Sequence, residues 1–444
     1  MLGNTPVKAL FEVSIQDKKV DIIGQISLRE DGFIIFDGIL NNRIANYNQL
    51  RNDFPYLYGI IEGAYYFTVF DVSIYEIRMN NFITIKFKAS SFLSGMHTNS
   101  IEEVKLDNCL INYTWLHEWA GSTYVIDNED IFDSECQLNL GLQFNEFEEW
   151  ILDSYSYKLE MSKRVDYNLF LKKDFNISLE TRLRIQSKHE ATLIDIYQNA
   201  RSVQQLLTFL TGHYNKITQL SFNKSDPHIE HIYYRIDTIN TTEVFDDRKV
   251  RYTFNDIKYN FKYLLNNWSR IFNHIHHDST ISYLSSLYNI STTMISFFNA
   301  IKAIDSIDLS DDIEYNNKLK LKQSFVNDLR QVCSDNSNPL SKALKEFTGH
   351  LKYLDKPGLQ FRLKRILKLI SENKIDLIID KKVIESIIVY RNYIVHDISS
   401  FTKDELSTLN DFAKVTRKIY FSYLSLKLGI EAHLINKALK ALNH

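Results

Sequence analysis

The sequence predicts an α+β chain of more than one domain: an antiparallel β-rich region, sandwich- or barrel-like, followed by an all-α helical bundle. Three observations carry the prediction. From residue 8 to about 125, short runs rich in β-branched and aromatic residues alternate apolar with polar, the period of a half-buried strand. From about 254 onward the apolar residues recur at helical spacing nearly to the end. A chain of 444 residues also exceeds what one hydrophobic core organises, so two or three domains are expected.

The strand runs come first: "ALFEVSI", "DIIGQISL", "FIIFDGIL", "YLYGIIEGAYYFTVFDVSI" and "FITIKFKASSFLSG", with Asp31-Gly32 and Glu62-Gly63 where turns are needed. "CQLNLGLQF", "SYKLEM" and "LETRLRIQ" continue the strand pattern. "IDIYQNARSVQQLLTFLTG" then changes the period, with Ile196, Ala200, Val203, Leu207 and Leu210 on one helical face before Gly212 stops it. "KITQLSF" and "HIEHIYYRI" form a hairpin pattern around Asp226-Pro227. Helices follow: "FKYLLNNWSRIFNHI", "YNISTTMISFFNAIKAIDSI", "KLKLKQSFVNDLRQV", "LQFRLKRILKLISE", "KKVIESIIVYRNYIVH" and "ELSTLNDFAKVTRKIYFSYLSLKL". The expected division is a β-rich domain over 1–130, a second β-rich or mixed region with one helix over 131–245, and the all-α domain over 246–444.

Composition narrows the function classes. With 28 Phe and 26 Tyr against 5 Pro and 13 Gly, the chain has material for cores and little for flexible linkers, which excludes a largely disordered protein. Cys109, Cys136 and Cys333 are widely separated, fit neither a disulfide framework nor a metal-ligand spacing, and read as buried thiols in a reducing compartment. No signal peptide and no uncharged apolar run of membrane-spanning length is visible, so a soluble cytoplasmic protein without a membrane partner is expected. The net charge of −3 argues against a bulk nucleic-acid binder. Its distribution is uneven: residues 311–444 hold 23 Lys and Arg against 16 Asp and Glu, a balance of +7, which leaves −10 on the first 310. A polyanion would meet the C-terminal part.

Within "VYRNYIVHDIS", Arg391 sits on the apolar stripe of Ile384, Ile387, Ile388 and Val395. A guanidinium facing a packing surface is costly unless paired or set against an anion. His396 follows five residues on, about 140° around an ideal helix, while Asn392 and His396, four apart, share a face. Arg-His spacings of this kind also arise by chance. Arg184 with His189 lies in strand alternation, and Arg270 with His276 and His277 falls off the apolar face of its helix. The structural alternative for Arg391 and His396 is an Arg paired to a buried carboxylate and a His capping the helix end. Other candidates are weaker. His274 and Asp278 have helical ligand spacing, but no further ligand cluster accompanies them, and no metal or other cofactor is expected. Arg362, Arg365 and Lys368 lie three apart on one side of a helix, either a solvated face or a phosphate-contact strip for RNA. Trp115 and Trp119 read as core.

Together, "VYRNYIVHDIS", "FFNAIKAIDSI", "PGLQFRLKRIL" and the N-terminal runs through "YTWLHEWAG" resemble the ApeA-like branch of the HEPN superfamily, over nearly the whole chain. The superfamily motif is an Arg, a polar residue directly after it, and a His, matched here by Arg391, Asn392 and His396; Asp305 stands where a Glu is expected. The resemblance implies a metal-independent ribonuclease of bacterial anti-phage defence acting by abortive infection on RNA, with transfer RNA a candidate substrate. It implies catalytic roles for Arg391, Asn392 and His396. The angle between Arg391 and His396 favours a site completed by a second copy, hence a homodimer or an even-numbered higher oligomer. The acidic N-terminal half is expected to sense a phage protein trigger. The alternative is a non-catalytic HEPN module that binds RNA, nucleotide or a protein.

Overall fold

The structure, a computed structural model, describes residues 6–15, 18–29, 33–40, 54–61, 65–79, 82–120, 125–126, 142–143, 150–152, 155–167, 175–223, 230–235, 244–271, 280, 282–284, 287, 293–307, 309, 311–334, 357–396 and 401–442; for some of these, His396 included, only the backbone is described. The chain forms two compact units, one of residues 1–247 with 253–258 and the other of 248–252 with 259–444.

Alternation builds the first unit. Strands β1 (Val7–Ile15), β2 (Lys18–Leu28), β3 (Ile34–Leu40), β4 (Phe54–Ile61), β5 (Tyr65–Met79) and β6 (Ile83–Ala89) pair antiparallel in the order β5-β4-β1-β2-β3-β6. The ring closes because β5 is 15 residues long: its first half pairs with β4 and its second half with β6. A closed barrel has no unpaired edge within it. The inward residues form one core in which Phe11 meets Phe36, Phe67 and Phe87 edge-on at 4.6, 5.0 and 5.0 Å. At the β2–β3 crossing Gly24 faces Gly38, and a Cβ on Gly24 would collide with the backbone of Asp37 and Gly38. The close approach of the two strands therefore requires glycine.

The sheet continues past the barrel. Strand β7 (Ser91–Ser94) pairs with the first half of β5, and β8 (Lys105–Tyr113), β11 (Trp150–Leu152), β12 (Tyr155–Tyr167), β13 (Phe175–Thr192), β14 (Ile217–Asn223) and β15 (Glu230–Arg235) extend it in the order β7-β15-β14-β8-β13-β12-β11; β9 (Val125–Ile126) and β10 (Leu142–Gln143) make a separate pair. Much of the region expected as separate over 131–245 thus adds strands to the same sheet. The hairpin read around Asp226-Pro227 is β14 paired with β15, although its turn lies outside the described residues. So do Asp31-Gly32, Glu62-Gly63, Cys136 and the His274–Asp278 stretch. Cys109 is fully buried in β8, while of Cys333 only the backbone is described.

Helix α1 (Leu116–Ala120) buries Trp119 against Phe254. Helix α2 (Leu193–Thr211) packs on β8, β13 and β14 through Ile196, Ala200, Val203, Leu207 and Leu210. Its ends follow local chemistry: Thr192 and Asp195 form a reciprocal capping box, and Gly212 closes the helix at φ 75°. The short α3 (Phe254–Ile257) completes this unit.

The second unit is helical: α4 (Phe261–Arg270), α5 (Thr293–Asp305), α6 (Ile313–Ser334), α7 (Leu359–Glu372), α8 (Lys381–His396), α9 (Lys403–Lys427) and α10 (Ala432–Ala441). The long α9 is central and contacts α5, α7, α8 and α10. It buries Leu409, Ala413, Ile419, Tyr420, Phe421, Tyr423 and Leu424, and Tyr420 stacks on Tyr283 at 4.8 Å. A β-barrel with extra strands followed by a helical region is thus the architecture. Among the described residues, no helix is long and apolar enough to cross a membrane.

Candidate functional site

The end of α8 carries the residues that sequence spacing singles out. Ile384, Ile387 and Ile394 are buried, and Arg391 falls on that stripe with 34% of its side chain exposed. Its guanidinium therefore borders solvent while its stem lies on the packed face. One terminal nitrogen donates to the Asn392 side-chain oxygen at 3.1 Å, and the other lies 3.7 Å from the carboxylate of Asp305, the last residue of α5. At that separation the pair is electrostatic and too long for a good hydrogen bond. Tyr390, one residue before Arg391, meets Phe412 of α9 edge-on at 5.4 Å and helps fix the rotation of α8.

Asp305 is the partner that spacing alone did not identify. Burial pushes its carboxyl above the ordinary carboxylate range, and the opposing pull of Arg391 and then Arg362 does not cancel that effect. At 3.7 Å and without a hydrogen bond to it, Asp305 holds Arg391 loosely, so an incoming oxyanion could displace it. Arg391 and Asn392 are brought together. His396 is the last residue of the helix, and its side chain lies outside the described residues.

The basic side of α7 differs from an open strip. Arg362 is 6% exposed and donates to the Ile307 carbonyl at 2.6 Å, the Tyr315 hydroxyl at 2.8 Å and the Pro357 carbonyl at 3.3 Å. It ties α7 to the segment after α5 and to α6. Arg365 donates to the Asp312 carboxylate at 2.8 Å and also pairs with Glu314. Lys368, half-exposed, lies 3.2 Å from Glu314. Arg362, Arg365 and Lys368 thus share a side as their spacing requires, but the first is buried and the other two face the acidic start of α6. Burial would raise Asp312, yet the Tyr315 N–H and Arg365 together hold its carboxyl below the usual range. A local signal for Asp312 exists in the sequence: an acid three residues before Tyr315, whose N–H it accepts at 2.8 Å, is an N-cap pattern at the start of α6.

The remaining candidates have structural surroundings. Arg184 of β13 makes a two-pronged pair with Glu160 of β12 at 2.6 and 2.8 Å, and Arg270 is exposed. Trp115 packs beside His213 and Phe245. Among the described residues, no group of three or more His, Cys, Asp or Glu side chains could hold a metal ion.

The family model described as ApeA N-terminal domain 1 matches residues 17–268, more than half of the chain. The match covers the barrel from β2, the added strands and most of α4, and leaves α5 to α10 unmatched. No curated protein and no solved structure matches the chain.

Proposed function

The chain belongs to the ApeA N-terminal domain 1 family, and from that premise we propose that it is an anti-phage defence protein whose helical unit is a metal-independent HEPN endoribonuclease. The observation that carries the reading is Arg391, half-exposed at the end of α8, beside Asn392 and loosely set against Asp305. In this reading the 2′-hydroxyl of a ribose attacks the adjacent phosphorus while His396 takes its proton. The bond from phosphorus to the 5′-oxygen breaks, and that oxygen takes up the proton that His396 carries. The products are a cyclic phosphate and a 5′-hydroxyl. Arg391 moves from Asp305 to the phosphorane oxygens, where its fixed charge lowers the barrier, and Asn392 orients phosphate or imidazole. A second copy of α8 brings His396 to Arg391, so the active form is a homodimer or an even-numbered assembly. Arg365 and Lys368 become phosphate contacts by exchanging Asp312 and Glu314 for RNA. The first unit senses a phage protein.

The test is incubation of purified protein with total cellular RNA in the presence of EDTA, alongside His396→Ala and Arg391→Ala. Cleavage by the parent and not by the variants supports the reading. Cleavage that depends on added metal, or persists in His396→Ala, overturns it. One observation favours a non-catalytic module that binds a protein or nucleotide instead: the basic side of α7 is already neutralised by Asp312 and Glu314, which leaves RNA no open cationic strip there. A folded protein that neither binds nor cleaves RNA after phage challenge would select that alternative.

A further inference from the structure

The outer face of the barrel carries a feature that neither its core nor the end of α8 explains. Five strands each place one outward residue on a single register row: Ile39 of β3 faces Ile23 of β2, Ile23 faces Leu10 of β1, Leu10 faces Ile60 of β4, and Ile60 faces Tyr66 of β5. Ile39, Ile23 and Tyr66 are 46%, 53% and 52% exposed, whereas their inward neighbours Leu40, Ile22 and Phe67 are buried. Outward positions of a barrel facing water are expected to be polar, so a continuous apolar row marks a surface that something covers.

The row ends in a ring cluster. His97 stacks on Tyr58 at 4.6 Å and meets Tyr66 edge-on at 5.0 Å, with Tyr56 at 5.2 Å from Tyr58. On one flank the next outward row is Tyr58, Glu12 and Asp21 in register, and Glu103 accepts from Thr98 beside His97 at 3.4 Å. On the other flank lie Lys8, Gln25, Asp37 and Lys86, the last held between Asp37 at 3.5 Å and Glu76 at 3.3 Å.

We propose that this row is the docking surface for a cationic, apolar-faced extended segment of a protein partner. The barrel strands are hydrogen-bonded on both sides, so a partner cannot add as another strand and must be read through side chains. The row supplies apolar area. On the Tyr58 flank the ring faces and the carboxylates of Glu12, Asp21 and Glu103 attract Lys and Arg, whereas Asp37 and Glu76 on the other flank are taken by Lys86. The same carboxylates repel the phosphates of RNA and of an anionic bilayer. The inference does not depend on ribonuclease activity, and its test reads no RNA cleavage.

Full-length protein is titrated by fluorescence anisotropy with short labelled peptides of alternating Ile and Lys, alternating Ile and Glu, and alternating Ser and Lys. The Ile–Lys peptide binds, and the other two bind at least about tenfold more weakly. Ile23→Ser combined with Ile39→Ser lowers Ile–Lys affinity by about tenfold, Tyr66→Ala lowers it independently, and Ile35→Ser, outward but off the row, leaves it unchanged. Equal binding of the Ser–Lys peptide, or unchanged binding by both row variants, overturns the proposal in favour of bulk charge. Binding of a labelled RNA oligonucleotide that Ile23→Ser combined with Ile39→Ser weakens overturns it in favour of nucleic acid. Sedimentation in which the serine variants dissociate a parent oligomer assigns the row to a contact between copies and likewise overturns it. Circular dichroism confirms that each variant is folded.

Discussion

Replacing Arg362 with methionine removes a guanidinium that donates to the Ile307 carbonyl at 2.6 Å, the Tyr315 hydroxyl at 2.8 Å and the Pro357 carbonyl at 3.3 Å. Hydrogen bonds to a charged group contribute about 1.5–3 kcal/mol each, so the two short ones together are worth roughly 3–6 kcal/mol. Methionine fills much of the vacated space and lets the neighbours relax, which returns part of that loss. Leaving a buried acceptor unpaired costs about 1–3 kcal/mol, so the Ile307 carbonyl and the Tyr315 hydroxyl together set an expected loss of about 2–6 kcal/mol. The assay is urea denaturation of the full chain, followed by its helical circular dichroism, for Arg362→Met and for the half-exposed Lys368→Met. Arg362→Met should shift the helical transition strongly and Lys368→Met scarcely, because surface pairs contribute little. A phosphate-strip role for Arg362 predicts the opposite pattern, with RNA affinity lost and stability kept. A stability loss below about 1 kcal/mol, the size of an ordinary substitution, together with a fall in RNA affinity matching that of Lys368→Met, would refute the structural argument.

Asp305→Asn separates the carboxyl's charge from its shape. Burial raises its folded pKa despite Arg391 and Arg362, so the folded state retains the proton to higher pH than the unfolded chain, and the parent loses stability as pH rises through that window. The parent's melting midpoint minus that of the variant should therefore fall with pH across the window and level off above it; a rising difference contradicts the assignment. Gly24→Ala drives a methyl group into the β3 backbone and should destabilise the barrel by about 1–3 kcal/mol, whereas a Cβ on Gly358 has nothing within 4 Å, so Gly358→Ala should cost only the poorer helix cap at the start of α7, under about 1 kcal/mol. Thr402→Ala removes the hydroxyl that caps α9 through the Glu405 N–H at 3.3 Å and should cost about 1 kcal/mol in chemical denaturation. A neutral result there would mean that the start of this central helix is held by tertiary packing alone.

Legibility in the sequence followed the range of the interaction concerned. Helix α2 could be read from Ile196 to Gly212 because its stripe and the glycine that stops it are neighbours in the chain. Arg391 could be placed on an apolar stripe because Ile384, Ile387, Ile388 and Val395 repeat at helical spacing around it. Arg362 was harder. A helix packed on more than one side can carry a long cation into its interior, and periodicity cannot separate a solvated arginine from one bonded to the carbonyls of Ile307 and Pro357.

By itself, then, the sequence determined where β alternation gives way to helical period, that Gly212 stops α2, and that Arg391 and Asn392 sit at the end of one helix. These depend on contacts within a few residues, where backbone geometry dictates which side chains share a face. Only the tertiary structure decided that β5 closes the barrel by pairing with both β4 and β6, that Asp305 meets Arg391 from another helix, and that Ile39, Ile23, Leu10, Ile60 and Tyr66 align across five strands. Each is a contact between distant segments, set by strand register and helix packing. A one-residue slip in register would turn that apolar row inward, and no local pattern records which register prevails.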